Sequence, residues 1–162
     1  MRFSIAAAST ALLALAEARI TGIKVPKEIK RGEEFEAIIT REGYIQSVLD
    51  SSIVFGYAAG DSYPGTVGTP FASIPLGFGK FYSSLANFSL QSTNNKTEKS
   101  NKAEDLTVKL TIPDKNTVIK DGEGIVAASL FSIYGASGSP TITNYNVTVT
   151  LGDKTSSEYV EA

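Results

Sequence analysis

Apolar and polar residues alternate at a period of two along most of this chain. In the stretch 144–152, Tyr145, Val147, Val149 and Leu151 fall on one side of an extended backbone, and Asn144, Asn146, Thr148 and Thr150 on the other. Successive strand side chains point to opposite faces, so this pattern predicts a half-buried strand. The same reading applies upstream. Residues 20–26 form a short strand ended by Pro26, and residues 33–40 place Phe35, Ala37 and Ile39 inward with Glu34 and Glu36 outward. Residues 52–58 turn Ile53, Phe55 and Tyr57 to one face, and 88–92 do so with Phe88 and Leu90. Residues 106–113 place Leu106, Val108, Leu110 and Ile112 inward. Residues 124–134 are apolar on both phases, which predicts a central strand covered on both faces.

Turn signals separate these runs at Lys30-Arg31-Gly32, Tyr63-Pro64-Gly65, Pro113-Asp114 and Asp121-Gly122. The pattern predicts an all-β fold, an antiparallel immunoglobulin-like β-sandwich of about seven strands, with a small β-barrel as the alternative. Two regions interrupt the alternation. Residues 59–80 are rich in Gly and Pro yet carry Tyr63, Phe71 and Phe78, and read as a long ordered crossover or edge loop. Residues 91–105 are polar and charged throughout, which predicts a solvated loop, or else a docking tail for a partner.

The first residues have a different character. Arg2 precedes an apolar run from Ile5 to Leu15, and Ala16-Glu17-Ala18 supplies a small-x-small site. That layout predicts a secretory signal peptide over residues 1–18, cleaved between Ala18 and Arg19, and a single sandwich domain over 19–162. The apolar run is too short to span a bilayer comfortably. No later segment reads as a transmembrane helix or a lipid anchor, so the expected product is secreted, with no membrane insertion.

Composition narrows the chemistry. The 162 residues are 42% hydrophobic and 20% charged, enough for one domain with a real core. A net charge of −2 offers no broad basic field, so no nucleic-acid partner is expected. The chain has no His and no Cys, which excludes a Ser–His–Asp triad, a cysteine nucleophile and disulfides. Carboxylates cluster at Glu33/Glu34/Glu36 and at Asp121/Glu123, but their spacing implies neither a convergent glycosidase pair nor a calcium loop. No Walker loop or dinucleotide fingerprint is present, and no cofactor, no metal site and no enzymatic activity are expected.

Two weaker signals remain. The sequon N-x-S/T occurs at Asn87, Asn95 and Asn146, each a candidate for N-glycosylation on the secretory route. Aromatic residues flank small loops, with Tyr57 and Tyr63 beside AAGDS and Tyr134 before GASGSP. Such rings either close the ends of a sandwich or form a Tyr- and Gly-rich binding rim.

The segments YIQSV, FGYAAGDSYPGTVGTP and SLFSIYGASGSPTITNYNVTVTLG, after a signal peptide and RITGIKVPKEIKRGEEFEAIIT, resemble the necrosis-inducing secreted protein family of filamentous fungi. The resemblance covers most of the mature chain. It implies a non-catalytic effector secreted during plant infection that induces plant cell death and suppresses pattern-triggered immunity inside host cells. The implied partners are an immune co-receptor kinase and a receptor-like cytoplasmic kinase, bound and inhibited. The family motifs carry no catalytic residue. The contact surface expected is the last hairpin, with Tyr134, Ser137, Ser139, Thr141, Asn144 and Tyr145. A second expected patch is Tyr57, Asp61, Tyr63 and Pro64.

Two other readings compete with the effector. A glycosylated cell-wall or matrix protein would suit a β-sandwich, although the terminal LGDKTSSEYVEA lacks a Ser/Thr-rich stalk. A carbohydrate-binding module would expose an aromatic platform, usually with Trp, and this chain has none.

Overall fold

The computed structural model describes residues 17–78 and 104–162, which form nine strands and no helix. These are β1 (Glu17–Pro26), β2 (Glu28–Lys30), β3 (Glu34–Tyr44), β4 (Val48–Ala59) and β5 (Thr69–Phe78), then β6 (Leu106–Thr111), β7 (Gly122–Tyr134), β8 (Ser139–Gly152) and β9 (Tyr159–Glu161). They make two separate sheets, one of order β6-β3-β1-β9 and one of order β2-β8-β7-β4-β5. The architecture is the two-layer sandwich that the alternation predicts, not a closed barrel.

The inward phase of each strand supplies the core. Phe35, Ala37 and Ile39 of β3 are buried between exposed Glu34 and Glu36. Ile53, Phe55 and Tyr57 of β4 meet Val126, Ala128 and Leu130 of β7 and Val147, Val149 and Leu151 of β8 in one cluster. Each fully buried Val, Leu, Ile or Phe contributes roughly 1.5–3 kcal/mol. A disulfide typically contributes about 2–4 kcal/mol, so two such side chains match one bridge, and the cysteine-free chain is held by apolar packing.

Strand β7 sits centrally, between β8 and β4. Its outer phase is buried only toward the start, at Ile125 and Ala127, whereas Phe131 is 38% exposed. The loop after β4 returns over the sheet there. A Cβ placed on Gly56, which pairs with Ala127, would lie 2.2 Å from the Val67 carbonyl oxygen. Both faces of β7 are therefore covered along part of its length and open beyond it.

The structure corrects three expectations. The Gly/Pro-rich stretch is only partly a loop, because Thr69–Phe78 forms β5, hydrogen-bonded along β4. It hides from pattern reading because Pro70 and Pro75 lie in it and two register shifts break its phase. Proline is tolerated there because, among the described residues, β5 lies at the sheet edge with one side unpaired. The short strands β2 and β9 carry too few residues to show a period. Finally, the sandwich is not wholly antiparallel, since β2 runs parallel to β8 from Glu28↔Thr150 to Lys30↔Gly152. The expected strand at 88–92 and most of the polar run 91–105 lie outside the described residues. Its last residue, Asp105, accepts the backbone N–H of Arg41 at 3.1 Å.

Candidate functional site

Two hairpins end side by side at one pole of the sandwich. The β3–β4 turn comprises Ile45, Gln46 and Ser47, and the β7–β8 loop runs over residues 135–138. The Gly135 N–H donates to the Ser47 carbonyl at 2.8 Å and joins the two turns. Gly135 and Gly138 have φ of 65° and 66°, a left-handed conformation that glycine adopts without a Cβ penalty. The small-residue loop is thus a tight turn that the backbone requires.

Beneath the turns lies an aromatic and cationic cluster. The Tyr44 and Tyr134 rings meet edge to face, with centroids 5.9 Å apart. The Arg19 guanidinium stacks 4.7 Å from the Tyr44 ring centroid. Such contacts are each worth about 0.5–1.5 kcal/mol at partly exposed sites, so they order the cluster. Burial raises the Tyr134 hydroxyl above its ordinary value. At the outer edge, Ile45 is 88% exposed, a large apolar side chain with no cover among the described residues.

The predicted residues of the last hairpin separate by phase. Ser137, Ser139 and Thr141 are exposed around the loop, with the Ser137 and Ser139 hydroxyls 3.1 Å apart. Tyr134 is half-buried within the cluster. Asn144 lies on the opposite face of β8, hydrogen-bonded to the Ser129 hydroxyl. Tyr145 is a correction: it is half-buried, and its hydroxyl donates to the Ile20 carbonyl of the other sheet at 3.0 Å. Burial pushes that hydroxyl up to about 12. That hydrogen bond ties the two layers.

The second predicted patch lies at the other end of β4, where Ala59 pairs with Gly124, away from the Val48–Tyr134 end. The structure does not join the two patches. Tyr57 is a further correction, because only 2% of its surface is exposed. Its hydroxyl reaches the Gly122 carbonyl at 3.5 Å inside the fold. Asp61 and Pro64 are exposed, and Tyr63 is half-buried with a hydroxyl that has no partner among the described residues.

Sequence reasoning missed Ile45, Tyr44 and Arg19. The available signal was the tetrapeptide Tyr44-Ile45-Gln46-Ser47, where an apolar residue sits in a turn between two alternating strands. Ala18 and Arg19 lie within β1, opposite Gly43 and Glu42. Of the predicted sequons, Asn146 is exposed on β8, while Asn87 and Asn95 fall outside the described residues.

A shallow groove of about 660 Å³ lies between β2 and the segment leading to β9. Its charged residues pair with each other, Lys27 with Glu158 and Lys154 with Glu28. Asp121 is held by Arg31 at 2.6 Å, and no group of three acidic residues converges as a metal site among the described residues.

The comparisons agree with the family resemblance of the chain's sequence segments. Residues 16–150 match the Nis1 family. The chain belongs to the Nis1 family. It is 44% identical over 157 residues to necrosis-inducing secreted protein 1 of Colletotrichum orbiculare, covering 96% of this chain and 83% of that protein. It is 45% identical over 160 residues to necrosis-inducing secreted protein 1 of Colletotrichum higginsianum, covering 98% and 95%. The Nis1 match spans β1 through most of β8, so it includes both hairpins of the ordered pole.

Proposed function

We propose that this chain is a secreted effector that induces plant cell death and suppresses pattern-triggered immunity. In this reading it acts in the host cytoplasm by binding an immune co-receptor kinase and a receptor-like cytoplasmic kinase and blocking their activity. The observation that carries it is Nis1 membership, with relatives over nearly the whole chain that are named necrosis-inducing secreted proteins. The geometry supports binding over catalysis: an ordered Arg19–Tyr44–Tyr134 cluster, an exposed Ile45 and a polar rim of Ser137, Ser139 and Thr141. An apolar anchor ringed by polar groups is the usual composition of an interface centre.

The test is co-precipitation of residues 19–162 with the two kinase domains, with phosphorylation measured in the same samples. Binding with lowered phosphorylation is the expected result. A folded protein that binds neither kinase sinks the kinase reading and leaves cell death, scored after expression in leaves, to be explained by another target.

A further inference from the structure

Among the described residues, the edge of β8 is the least protected sheet edge. Strand β7 pairs with β8 along its whole length, from Ser139 to Leu151. On the other side, β2 covers only Thr150 to Gly152. From Ser139 to Val149, that side of β8 meets no strand among the described residues. An uncovered strand edge presents unpaired N–H and C=O groups that template pairing with another chain.

The other sheet edges are blunted in recognisable ways. Strand β5 carries Pro70 and Pro75 and two register shifts. Strand β6 has exposed Lys109, paired with Glu34 at 2.8 Å. Strands β2 and β9 have three residues each. Strand β8 has none of these devices beyond Pro140 at its start. It has no register shift against β7, and its sequence SPTITNYNVTVTLG contains no charged residue. An uncharged run rich in Thr, Val and Tyr has the composition of a self-pairing segment.

One feature of β8 does supply a guard. Asn146-Val147-Thr148 is an N-glycosylation sequon in the middle of the open stretch. Residues two apart on a strand share a face, and Asn146 and Thr148 are both exposed beside buried Val147. A glycan on Asn146 would project to solvent without displacing a core side chain. Asn144, two residues earlier on the same face, is instead engaged by Ser129 and lies in no sequon.

We propose that Asn146 carries an N-linked glycan that guards the open edge of β8 against pairing with a second copy of the chain. The bulky, hydrated sugar stands where other edges have lysine, proline or a short strand. It also keeps partners off the outer face of β7–β8 and leaves the pole with Ile45 and Tyr134 accessible. The proposal holds whichever target the pole binds.

The experiment is secretion of the full chain from a fungal host, with Asn87 and Asn95 changed to Gln so that Asn146 is the remaining sequon. The expected product loses mass on N-glycosidase treatment and leaves Asp at position 146. T148S should keep the glycan, and T148A and N146Q should lose it. Size-exclusion chromatography with light scattering then reads the edge. The glycosylated chain and T148S should stay monomeric, and N146Q and T148A should associate with rising concentration. N146K, which exchanges the sugar for a charge, should remain monomeric. Absence of a glycan at Asn146 overturns the proposal. So does monomeric N146Q and T148A, or association of N146K to the same extent as N146Q.

Discussion

The Ser132 hydroxyl donates to Asp50 Oδ1 at 2.6 Å in the interior of the sandwich. The two residues face each other across β4 and β7, and are 0% and 1% exposed. The second oxygen, Oδ2, accepts the Ile20 N–H of β1 at 3.2 Å. One buried carboxylate therefore joins three strands and both sheets, just below the pole that carries Tyr134. Replacing Asp50 with Ala strands the Ile20 N–H and the Ser132 hydroxyl without acceptors. Each orphaned buried group costs about 1–3 kcal/mol. D50A should lower the unfolding free energy by roughly 2 kcal/mol or more in urea titration. An unchanged midpoint would show that water reaches both donors.

Asp50 also makes stability depend on pH. Burial, the largest cause, pushes its carboxyl above the ordinary 3.8, against the opposing pull of Ser132, Ile20 and Arg41. Between 3.8 and the raised value the folded state binds the proton that the unfolded state has released. Stability from this group is therefore full below the unfolded value and lost as pH rises through the folded one. Melting temperatures of wild type and D50N, measured upward from pH 3.8, should diverge in that window, with the wild type losing ground as Asp50 ionises. Parallel curves would refute the assignment.

Tyr145 makes the corresponding case at alkaline pH. Its hydroxyl donates to Ile20 O, and burial raises it to about 12 from an ordinary 10.0. The neutral form is favoured by folding, so this contribution is present below 10.0 and lost as pH approaches 12. Y145F removes one intersheet hydrogen bond, worth about 1 kcal/mol at neutral pH. Its alkaline unfolding should also lack the late phenolate step that absorbance at the tyrosinate band records in the wild type.

These ties were out of reach of pattern reading for a definite reason. The alternation of Phe35, Ala37 and Ile39, or of Val147, Val149 and Leu151, reports which face is apolar and so finds the layers. It cannot say which strands of opposite sheets approach one another, and Asp50–Ile20 and Tyr145–Ile20 are contacts of that kind. Strand β5 was hidden because bulges and prolines erase the period that identifies a strand. At the pole, the β7–β8 loop was legible from its glycines and serines. Its neighbour at Ile45 was not, because the two turns meet only after β4 and β7 pair over their full length.

Close packing predicts a contrast between two glycines. A Cβ on Gly124 would lie 2.1 Å from the Tyr57 hydroxyl oxygen, whereas one on Gly43 meets nothing within 4 Å. Tyr57 is held in the core and cannot retreat freely, so G124A should cost about 1–3 kcal/mol through overpacking. G43A should be neutral or slightly stabilising, by reducing the freedom of the unfolded chain. Chemical denaturation of the two variants side by side tests this. Equal midpoints would mean that Tyr57 finds another rotamer.

The pole itself gives the functional prediction. Ile45 is exposed, so I45D removes an apolar anchor without touching the core and should leave the melting temperature unchanged. A central hot-spot residue typically carries about 2 kcal/mol, so the kinase binding proposed for this chain should weaken roughly thirtyfold by calorimetry. G135P acts on the scaffold: proline cannot adopt the φ of 65° and removes the N–H that reaches Ser47. It should abolish binding by separating the two turns. P64A, at the far end of β4, should bind like the wild type. Normal binding by I45D with lost binding by P64A would move the interface to the 60–68 loop and reverse the assignment of the pole.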